Sequence, residues 1–413
     1  MTDKPVRPLH SYIPQAAALV FAFCFLRPVY AQRLPQRAAV ANASSTGWTE
    51  LFSDSGGLGG VIDTGLSGHT GVYDAATNTL IAFGGSDAGV GCASTNAVIL
   101  LAGANGLGAS AFATLIPNGA TGAPPPRTYH SAVYDAANNR MIAFGGVTYA
   151  DGHSDPVAYL NDVWVLANAN GQGGPPAWTE LSPTGAAPAP RYGQSAVYDP
   201  AGNRLIVFGG GSGSTIFTDV WVLSNANGLG GAPAWSQLSP GGAPPPGGYN
   251  ASAVYDSTNN ILIVFAGYNL APKSPLGFVL YNGVWTLAHA NGLGGAPHWT
   301  NIGANGAPGA PGKRNGGTAV YDSGNNRMII FGGGSFTPEE APAYNDTWVL
   351  SGANGLAGTP VWTKLRPSGA APGQRGSLPA VYDAANNRMV IFAGASDDAQ
   401  YYSAWVLTGA NGL

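Results

Sequence analysis

The sequence predicts an all-β fold of six similar units, each a four-stranded antiparallel meander, arranged around one axis as the blades of a β-propeller. A Tyr-Asp pair recurs six times at spacings of 57 to 66 residues, and each recurrence is accompanied by short apolar runs between Gly, Pro, Asn and Ser. Self-similarity at such a period indicates a repeat architecture. The pairs are Tyr73/Asp74, Tyr134/Asp135, Tyr198/Asp199, Tyr255/Asp256, Tyr321/Asp322 and Tyr382/Asp383.

The third unit shows the predicted elements most clearly. Its four apolar runs are Ser195 to Asp199, Arg204 to Gly210, Asp219 to Leu223 and Trp235 to Leu238. Their Val, Ile, Phe, Tyr and Trp content favours strands, and the short link 200–203 has the length and the residues of a hairpin turn. No stretch between the runs has the length or periodicity of a helix. Four strands joined in this way make one propeller blade.

The two ends of the chain predict how the ring closes. Trp48 to Leu51 matches a fourth strand but precedes any first strand, and the sequence stops at Leu413 after a third strand. We therefore expect Trp48 to Phe52 to complete the sixth blade, which would remove the open sheet edges.

The repeat resembles the kelch family of propellers. The resemblance rests on paired glycines that end the second strand, as at Gly209/Gly210, and on a Trp in the third strand, as at Trp221. It covers about Trp48 to Leu407, with departures at Ile99, which replaces the Trp, and at Ala266, which replaces the first Gly. It implies a six-bladed kelch-like propeller of the exported bacterial type. Functions in this family vary, so the resemblance predicts fold better than activity.

The N-terminal segment predicts export. Residues 1–31 contain Lys4 and Arg7, an apolar stretch from Ala16 to Leu26, and Ala31 before the expected cleavage point. This order is typical of a secretory signal, and the stretch is shorter than the roughly 20 residues of a membrane span; a retained anchor is the alternative. We expect residues 32–47 to be a flexible leader, residues 48–413 to form the propeller, and the protein to be secreted, periplasmic or extracellular.

Charge and cysteine content limit the expected classes of partner and the possible disulfides. Cleavage would leave 14 basic and 20 acidic residues, a net charge of about −6, with no basic run. Such a chain is a poor nucleic-acid binder. Cys92 alone would remain, so no disulfide could form within the mature chain. We expect a monomer without a cofactor, and no membrane contact once the signal is cleaved.

The aromatic residues fall in fixed places. All ten tryptophans lie in third or fourth strands, which predicts packing between blades. Ten tyrosines lie in the loops between second and third strands or between successive blades, and both loop classes leave a meander on one side. These tyrosines are Tyr129, Tyr149, Tyr159, Tyr192, Tyr249, Tyr268, Tyr281, Tyr344, Tyr401 and Tyr402. Because Tyr is stiff and amphipathic, this side is the predicted recognition surface.

Arginines and a histidine add to the predicted ligand site. Arg127, Arg191, Arg314 and Arg375 share one repeat position just before the first strand, while Leu66 and Gly248 replace them in the other units. Arginines here either hold the fold together or meet a ligand at the channel mouth. The predicted ligand-binding set is Arg127, Tyr129, His130, Tyr149, His153, Arg191, Tyr192, Tyr249, Tyr268, Arg314, Glu340, Arg375, Tyr401 and Tyr402.

Catalytic and metal signals are weak. Asp151, His153 and Asp155 could approach a hard cation but do not make a full ligand set, and we predict neither catalytic residues nor a metal site. The resemblance leaves open a sugar-acid mutarotase or epimerase, because some kelch-like mutarotases use polar groups of the channel. The preferred interpretation is a binding module for a carbohydrate or a protein partner; the alternatives are that enzyme or a structural envelope or matrix protein.

Overall fold

The computed structural model describes residues 46–53, 65–87, 93–150, 155–271, 274, 277–334, 343–396 and 399–413. The described residues form six four-stranded antiparallel sheets, which confirms the six-bladed propeller. In chain order their strands are Thr70–Asp74, Thr79–Phe83, Val98–Ala102 and Ala111–Ile116 (blade 1); Ser131–Asp135, Arg140–Tyr149, Pro156–Ala167 and Ala177–Glu180 (blade 2); Ser195–Asp199, Arg204–Phe208, Val220–Ser224 and Ala234–Gln237 (blade 3); Ser252–Asp256, Ile261–Phe265, Val284–Ala288 and His298–Gly303 (blade 4); Thr318–Asp322, Arg327–Phe331, Thr347–Ser351 and Val361–Lys364 (blade 5); and Ala380–Asp383, Arg388–Phe392, Ala404–Thr408 and Gly47–Phe52 (blade 6).

Among the described residues, three short two-stranded sheets extend beyond the blades. They pair Leu66–Ser67 with Ser86–Asp87, Gly211–Ser212 with Thr215–Ile216, and Tyr268–Leu270 with Phe278–Leu280. All three lie on the side of the loops that join second to third strands. We call this side the tyrosine face. The opposite side, with the first hairpins and the loops between third and fourth strands, is the hairpin face. Within the described residues, no helix is long and apolar enough to cross a membrane.

The ring closes as the two chain ends predict. Gly47–Phe52 pairs with Ala404–Thr408, with Gly47 opposite Thr408 and Trp48 opposite Leu407. Trp48 is 6% exposed, and its ring centre lies 5.2 Å from that of Phe331 in blade 5. The strand from the N-terminal part therefore supplies both hydrogen bonds and core packing to blade 6.

The core lies between neighbouring blades. The apolar residues of the second strands are all buried, as in Thr79–Phe83, because blades pack on both of their faces. One cluster joins Val133 and Phe144 of blade 2 to Leu205 and Trp221 of blade 3, and the other blade pairs have similar clusters. First strands follow one another around the centre and line the channel. The predicted structural role of the tryptophans is confirmed for those in these clusters.

Asparagines of the Ala-Asn-Gly loops connect the blades on the hairpin face. In every blade the Asn side chain donates to the aspartate that ends the first strand of the preceding blade, at 2.7 to 2.9 Å. The pairs are Asn105–Asp383, Asn170–Asp74, Asn227–Asp135, Asn291–Asp199, Asn354–Asp256 and Asn411–Asp322. Because a carboxylate accepts each bond and all six aspartates are buried, this closed set stabilises the ring. The structural interpretation of these loops is confirmed.

Candidate functional site

Three of the predicted arginines form buried ion pairs on the tyrosine face. Arg127 and Arg191 are 0% exposed and Arg314 is 1% exposed. Their guanidinium groups bind the carboxylates of Asp162, Asp219 and Asp346 through two hydrogen bonds each. Each also donates to a carbonyl at the end of the second strand, as Arg191 does to Gly209. The arginine thus ties the segment that enters a blade to that blade's second and third strands.

The third-strand tryptophan orients the carboxylate. The indole N–H groups of Trp164, Trp221 and Trp348 donate to the aspartate two residues earlier at 2.7 to 2.8 Å. In blade 5, the Arg314 guanidinium and the Trp348 indole outweigh burial and hold the pKa of the Asp346 carboxyl below its usual value. From the sequence, no role was predicted for these aspartates. The sequence does contain a signal, because the three units with Arg127, Arg191 and Arg314 all have Asp two residues before the third-strand tryptophan.

An aromatic ring covers three of the arginines. Phe217 lies 4.3 Å from the guanidinium carbon of Arg191, and Tyr344 and Tyr401 cover Arg314 and Arg375 at 4.1 and 3.8 Å. Arg375, 2% exposed, also donates to the Ser403 hydroxyl at 3.1 Å. The arginines hold the fold together, as one of the two interpretations expects. Their contact with a ligand stays a prediction.

A closed ring of backbone hydrogen bonds surrounds the channel on this side. Each blade contributes one residue, which lies two positions after the repeat position that holds Arg127, Arg191, Arg314 and Arg375 in four of the blades. The N–H of this residue donates to the carbonyl of the equivalent residue in the preceding blade at 2.7 to 3.1 Å. All six have positive φ, between 49° and 64°. The ring runs through Gly68, Tyr129, Gly193, Asn250, Gly316 and Ser377. Sequence reasoning missed it, because glycine fills only alternate places.

Tyr129 reaches across the channel mouth from blade 2. A Cβ added to Gly68 of blade 1 would lie 3.3 Å from two carbons of the Tyr129 ring, so the ring covers that glycine. Its hydroxyl is hydrogen-bonded with the Ser377 side chain of blade 6, and burial still raises the pKa of Tyr129 above its usual value. The tyrosine therefore covers part of the channel mouth and separates the channel from the loops above.

Six of the predicted tyrosines meet in one cluster above blades 2 to 4. Ring-centre distances are 6.3 Å for Tyr129–Tyr192, 5.5 Å for Tyr159–Tyr192, 5.0 Å for Tyr192–Tyr249 and 4.7 Å for Tyr249–Tyr268. Val147, Ile216 and the sixth tyrosine complete it. The tyrosine cluster is Tyr129, Tyr149, Tyr159, Tyr192, Tyr249 and Tyr268.

The rings of the tyrosine cluster pack against one another, and three of them are buried. Tyr149, Tyr192 and Tyr249 are 7%, 7% and 2% exposed, whereas Tyr159 and Tyr268 are half-buried at its rim. Burial raises the pKa of Tyr192 to about 12, so its hydroxyl stays a neutral donor at physiological pH. The cluster offers a preorganised apolar surface with hydroxyl groups that can donate and accept hydrogen bonds.

The remaining predicted residues lie elsewhere. Tyr402 is buried against Phe112 and Phe392 in the packing between blades 6 and 1. His130 packs its ring on Phe83 and is 5% exposed. His153 and Glu340, like Asp151 and Cys92, lie outside the described residues. Within the part of the chain that the structure describes, no three His, Cys, Asp or Glu side chains come together as a metal site.

Two buried histidines make the fold sensitive to acid. His69 is 5% exposed, and neither of its ring nitrogens has a hydrogen-bond partner among the described residues. Burial lowers the pKa of His69 to about 3, and burial with the nearby Arg127 charge lowers the pKa of His130 well below its usual value. Since the unfolded chain takes up these protons first, stability is highest above about pH 6.5 and falls as the pH drops toward 3.

His69→Leu should remove part of this acid sensitivity. Leu378 occupies the same repeat position in blade 6 and is 6% exposed, so the fold accepts leucine there. Between pH 7 and pH 4.5 the variant should lose about 2–3 kcal/mol less unfolding free energy than the parent. Urea unfolding at both pH values measures the difference. An identical pH dependence in both proteins would show that His69 is protonated, or hydrated, in the folded state.

These features define a class: a six-bladed β-propeller with Arg-Asp-Trp bridges in three blades and one aromatic-rich loop face. Comparison with protein families matches residues 40–223 to the KLHDC2/KLHL20/DRC7 Kelch-repeats domain. With the repeated glycine and tryptophan pattern, this match supports a kelch-repeat family for the propeller.

Three relatives are similar to this chain over short stretches. The leucine-zipper-like transcriptional regulator 1 homolog of Drosophila melanogaster is 34% identical over 130 residues, 31% of this chain and 12% of the relative. Kelch repeat-containing protein 2 of Saccharomyces cerevisiae is 31% identical over 148 residues, which are 35% of this chain and 15% of the relative. Dynein regulatory complex subunit 7 of Chlamydomonas reinhardtii is 34% identical over 88 residues, which are 21% of this chain and 6% of the relative. This chain therefore spans no more than about a seventh of these relatives.

A solved structure matches most of the propeller. The structure titled "Structure of YjhT" aligns with a TM-score of 0.55 over 84% of this chain and 96% of that one, at 15% identity. At this identity the likeness supports the fold alone. The kelch propeller fold itself suggests a protein-binding module.

Proposed function

We propose that this protein is a binding module that holds an extended segment of a partner protein on its tyrosine cluster. The observation that carries the proposal is the convergence of six tyrosines from three consecutive blades into one packed cluster, whose partly exposed members are Tyr129, Tyr159 and Tyr268. Tyrosine is enriched where proteins recognise one another, because it adds large contact area at a low cost in side-chain entropy. The rings are already held in place, so binding orders few further side chains.

A protein segment suits this surface better than a sugar. Sugar rings stack on open aromatic faces, and Tyr149, Tyr192 and Tyr249 offer little open face at 7%, 7% and 2% exposure. Edges and hydroxyl groups at the rim suit backbone carbonyls and apolar side chains. Carbohydrate binding is the second candidate, and mutarotase or epimerase activity in the channel is less favoured because Tyr129 covers part of the mouth.

The test is to select random peptides on the full chain and compare their affinities for rim variants. Tyr159→Ser with Tyr268→Ser should weaken recovered peptides at least 30-fold, which corresponds to the loss of about 2 kcal/mol at a tyrosine hot spot. The matched control is Tyr281→Ser, a tyrosine of the same face outside the cluster, which should bind as the parent does. Peptides that bind the double variant equally well would contradict the proposal.

A second arm separates the carbohydrate alternative. Thermal unfolding is measured with neutral and acidic sugars at saturating concentration, because a ligand at about 100 times its Kd adds roughly 2.7 kcal/mol. A shift that the double rim variant loses would assign the cluster to a sugar. A shift that the variant keeps would place a sugar elsewhere.

We also propose that the protein acts outside the cytoplasm after removal of residues 1–31. The support is the charged, apolar and small-residue order of that segment, which lies outside the described residues. Mass spectrometry of the protein recovered from its native host should find Gln32 at the N-terminus.

A further inference from the structure

A leucine occupies one repeat position on the hairpin face in five of the six blades, and its side chain is solvent-exposed. The exposed fractions range from 38% to 70%. In each loop the leucine N–H donates to the side chain of the asparagine two residues earlier at 2.8 to 3.0 Å, which fixes the turn and leaves the leucine outside. The leucine ring is Leu107, Leu229, Leu293, Leu356 and Leu413.

Folding does not require leucine at this position. In blade 2 the same place holds Gln172, whose N–H makes the same bond to Asn170 at 2.9 Å. The turn therefore accepts a polar side chain, and one exposed leucine would need no explanation. Five at equivalent positions on one face indicate a surface that meets something apolar.

The loops around the leucine ring contain no Asp, Glu, Lys or Arg, and His289 is the one titratable side chain in them. These loops are residues 75–78, 103–110, 136–139, 168–176, 200–203, 225–233, 257–260, 289–297, 323–326, 352–360, 384–387 and 409–413. The charged residues at the margin are already engaged, as Arg204 is with the Asn291 carbonyl at 3.2 Å and Asp199 with the Asn291 amide at 2.7 Å. Moving this face against an apolar medium therefore desolvates few charges.

We propose that the hairpin face docks on a lipid bilayer, with the leucine ring inserted among the outer acyl segments. The leucines come from separate blades, so a protein partner would need a matching set of separate pockets, whereas a fluid bilayer accepts apolar tips at any spacing in one plane. The arginines beside four of these loops already donate to the carbonyls of Asn105, Asn227, Asn291 and Asn411, so we expect neutral rather than anionic lipid. This proposal departs from the expectation of no membrane contact, and it leaves the tyrosine face exposed to water.

The test measures sedimentation of the full chain with phosphatidylcholine vesicles. Leu229→Gln, Leu293→Gln and Leu356→Gln are combined in one variant, because blade 2 already has glutamine at this position. The triple variant should lower the partition coefficient at least fivefold and leave the Tm within about 2 °C. The control is Val157→Ser, which removes an apolar side chain at least as exposed (64%) from the opposite side and should bind as the parent does. Adding phosphatidylserine should give no gain.

Two results would overturn the proposal. If the triple variant sediments with the vesicles as the parent does, the leucines do not contact lipid. If light scattering shows a concentration-dependent dimer of the parent that the triple variant loses, the leucine ring belongs to an interface between two copies of the chain.

Discussion

Deletion of residues 32–52 should lower the Tm by about 10 °C and turn the protein into an aggregating species. The deletion removes Trp48, which is 6% exposed and packs on Phe331, and burial losses of this size cost about 3–5 kcal/mol. It also removes the strand that pairs with Ala404–Thr408, so an open edge forms that can pair with another chain. Thermal unfolding and light scattering measure the two effects.

The control for this deletion removes residues 32–45 and keeps Gly47–Phe52. Because the closing strand and its pairing with blade 6 remain, the Tm should stay within about 2 °C of the parent. If the longer deletion instead gives a monomer with the parent Tm, closure by this strand contributes little, and the sixth blade is stable with three strands.

The repeat made the fold predictable, and the errors lie at the strand ends. The second strand of blade 3 was predicted to run from Arg204 to Gly210 but ends at Phe208. Gly209 and Gly210 have φ of 69° and 86°, a backbone conformation that leaves the sheet. A pattern of apolar residues predicts that a strand is present, whereas the residue at which the strand ends depends on the backbone turn that follows.

The site was less predictable, because a sequence does not show which way a side chain points. Arginines at a repeated position before an inner strand suggested a charged channel mouth, yet Arg191 is fully buried on Asp219 and covered by Phe217. The informative signal was a correlation within the chain: units with Leu66 or Gly248 in the arginine place also lack the aspartate, with Ala97 or Gly283 there. The tyrosines were assigned to the correct side, but their gathering over blades 2 to 4 depends on loop conformation.

Arg191→Leu alone should reduce the unfolding free energy by about 3–5 kcal/mol, and so should Asp219→Ala. Each change leaves the partner charge at a largely buried site: the side chains are 0% and 21% exposed, with N and O 2.6 Å apart. Breaking one side of such a pair costs far more than the pair itself contributes, because the remaining charge is desolvated and unpaired. Urea unfolding measures both variants.

Arg191→Leu with Asp219→Ala in one chain should recover most of that loss. Blade 1 already has this combination, with Leu66 1% exposed and Ala97 9% exposed at the equivalent positions, so the blade architecture accepts an apolar pair. If the double variant loses about 1–2 kcal/mol, where the two single losses sum to at least about 6 kcal/mol, the double-mutant cycle gives a coupling energy of at least about 4 kcal/mol. Additive losses would mean that Arg191 acts mainly through its bond to the Gly209 carbonyl and its contact with Phe217, and that the carboxylate stabilises the blade independently through the Trp221 indole.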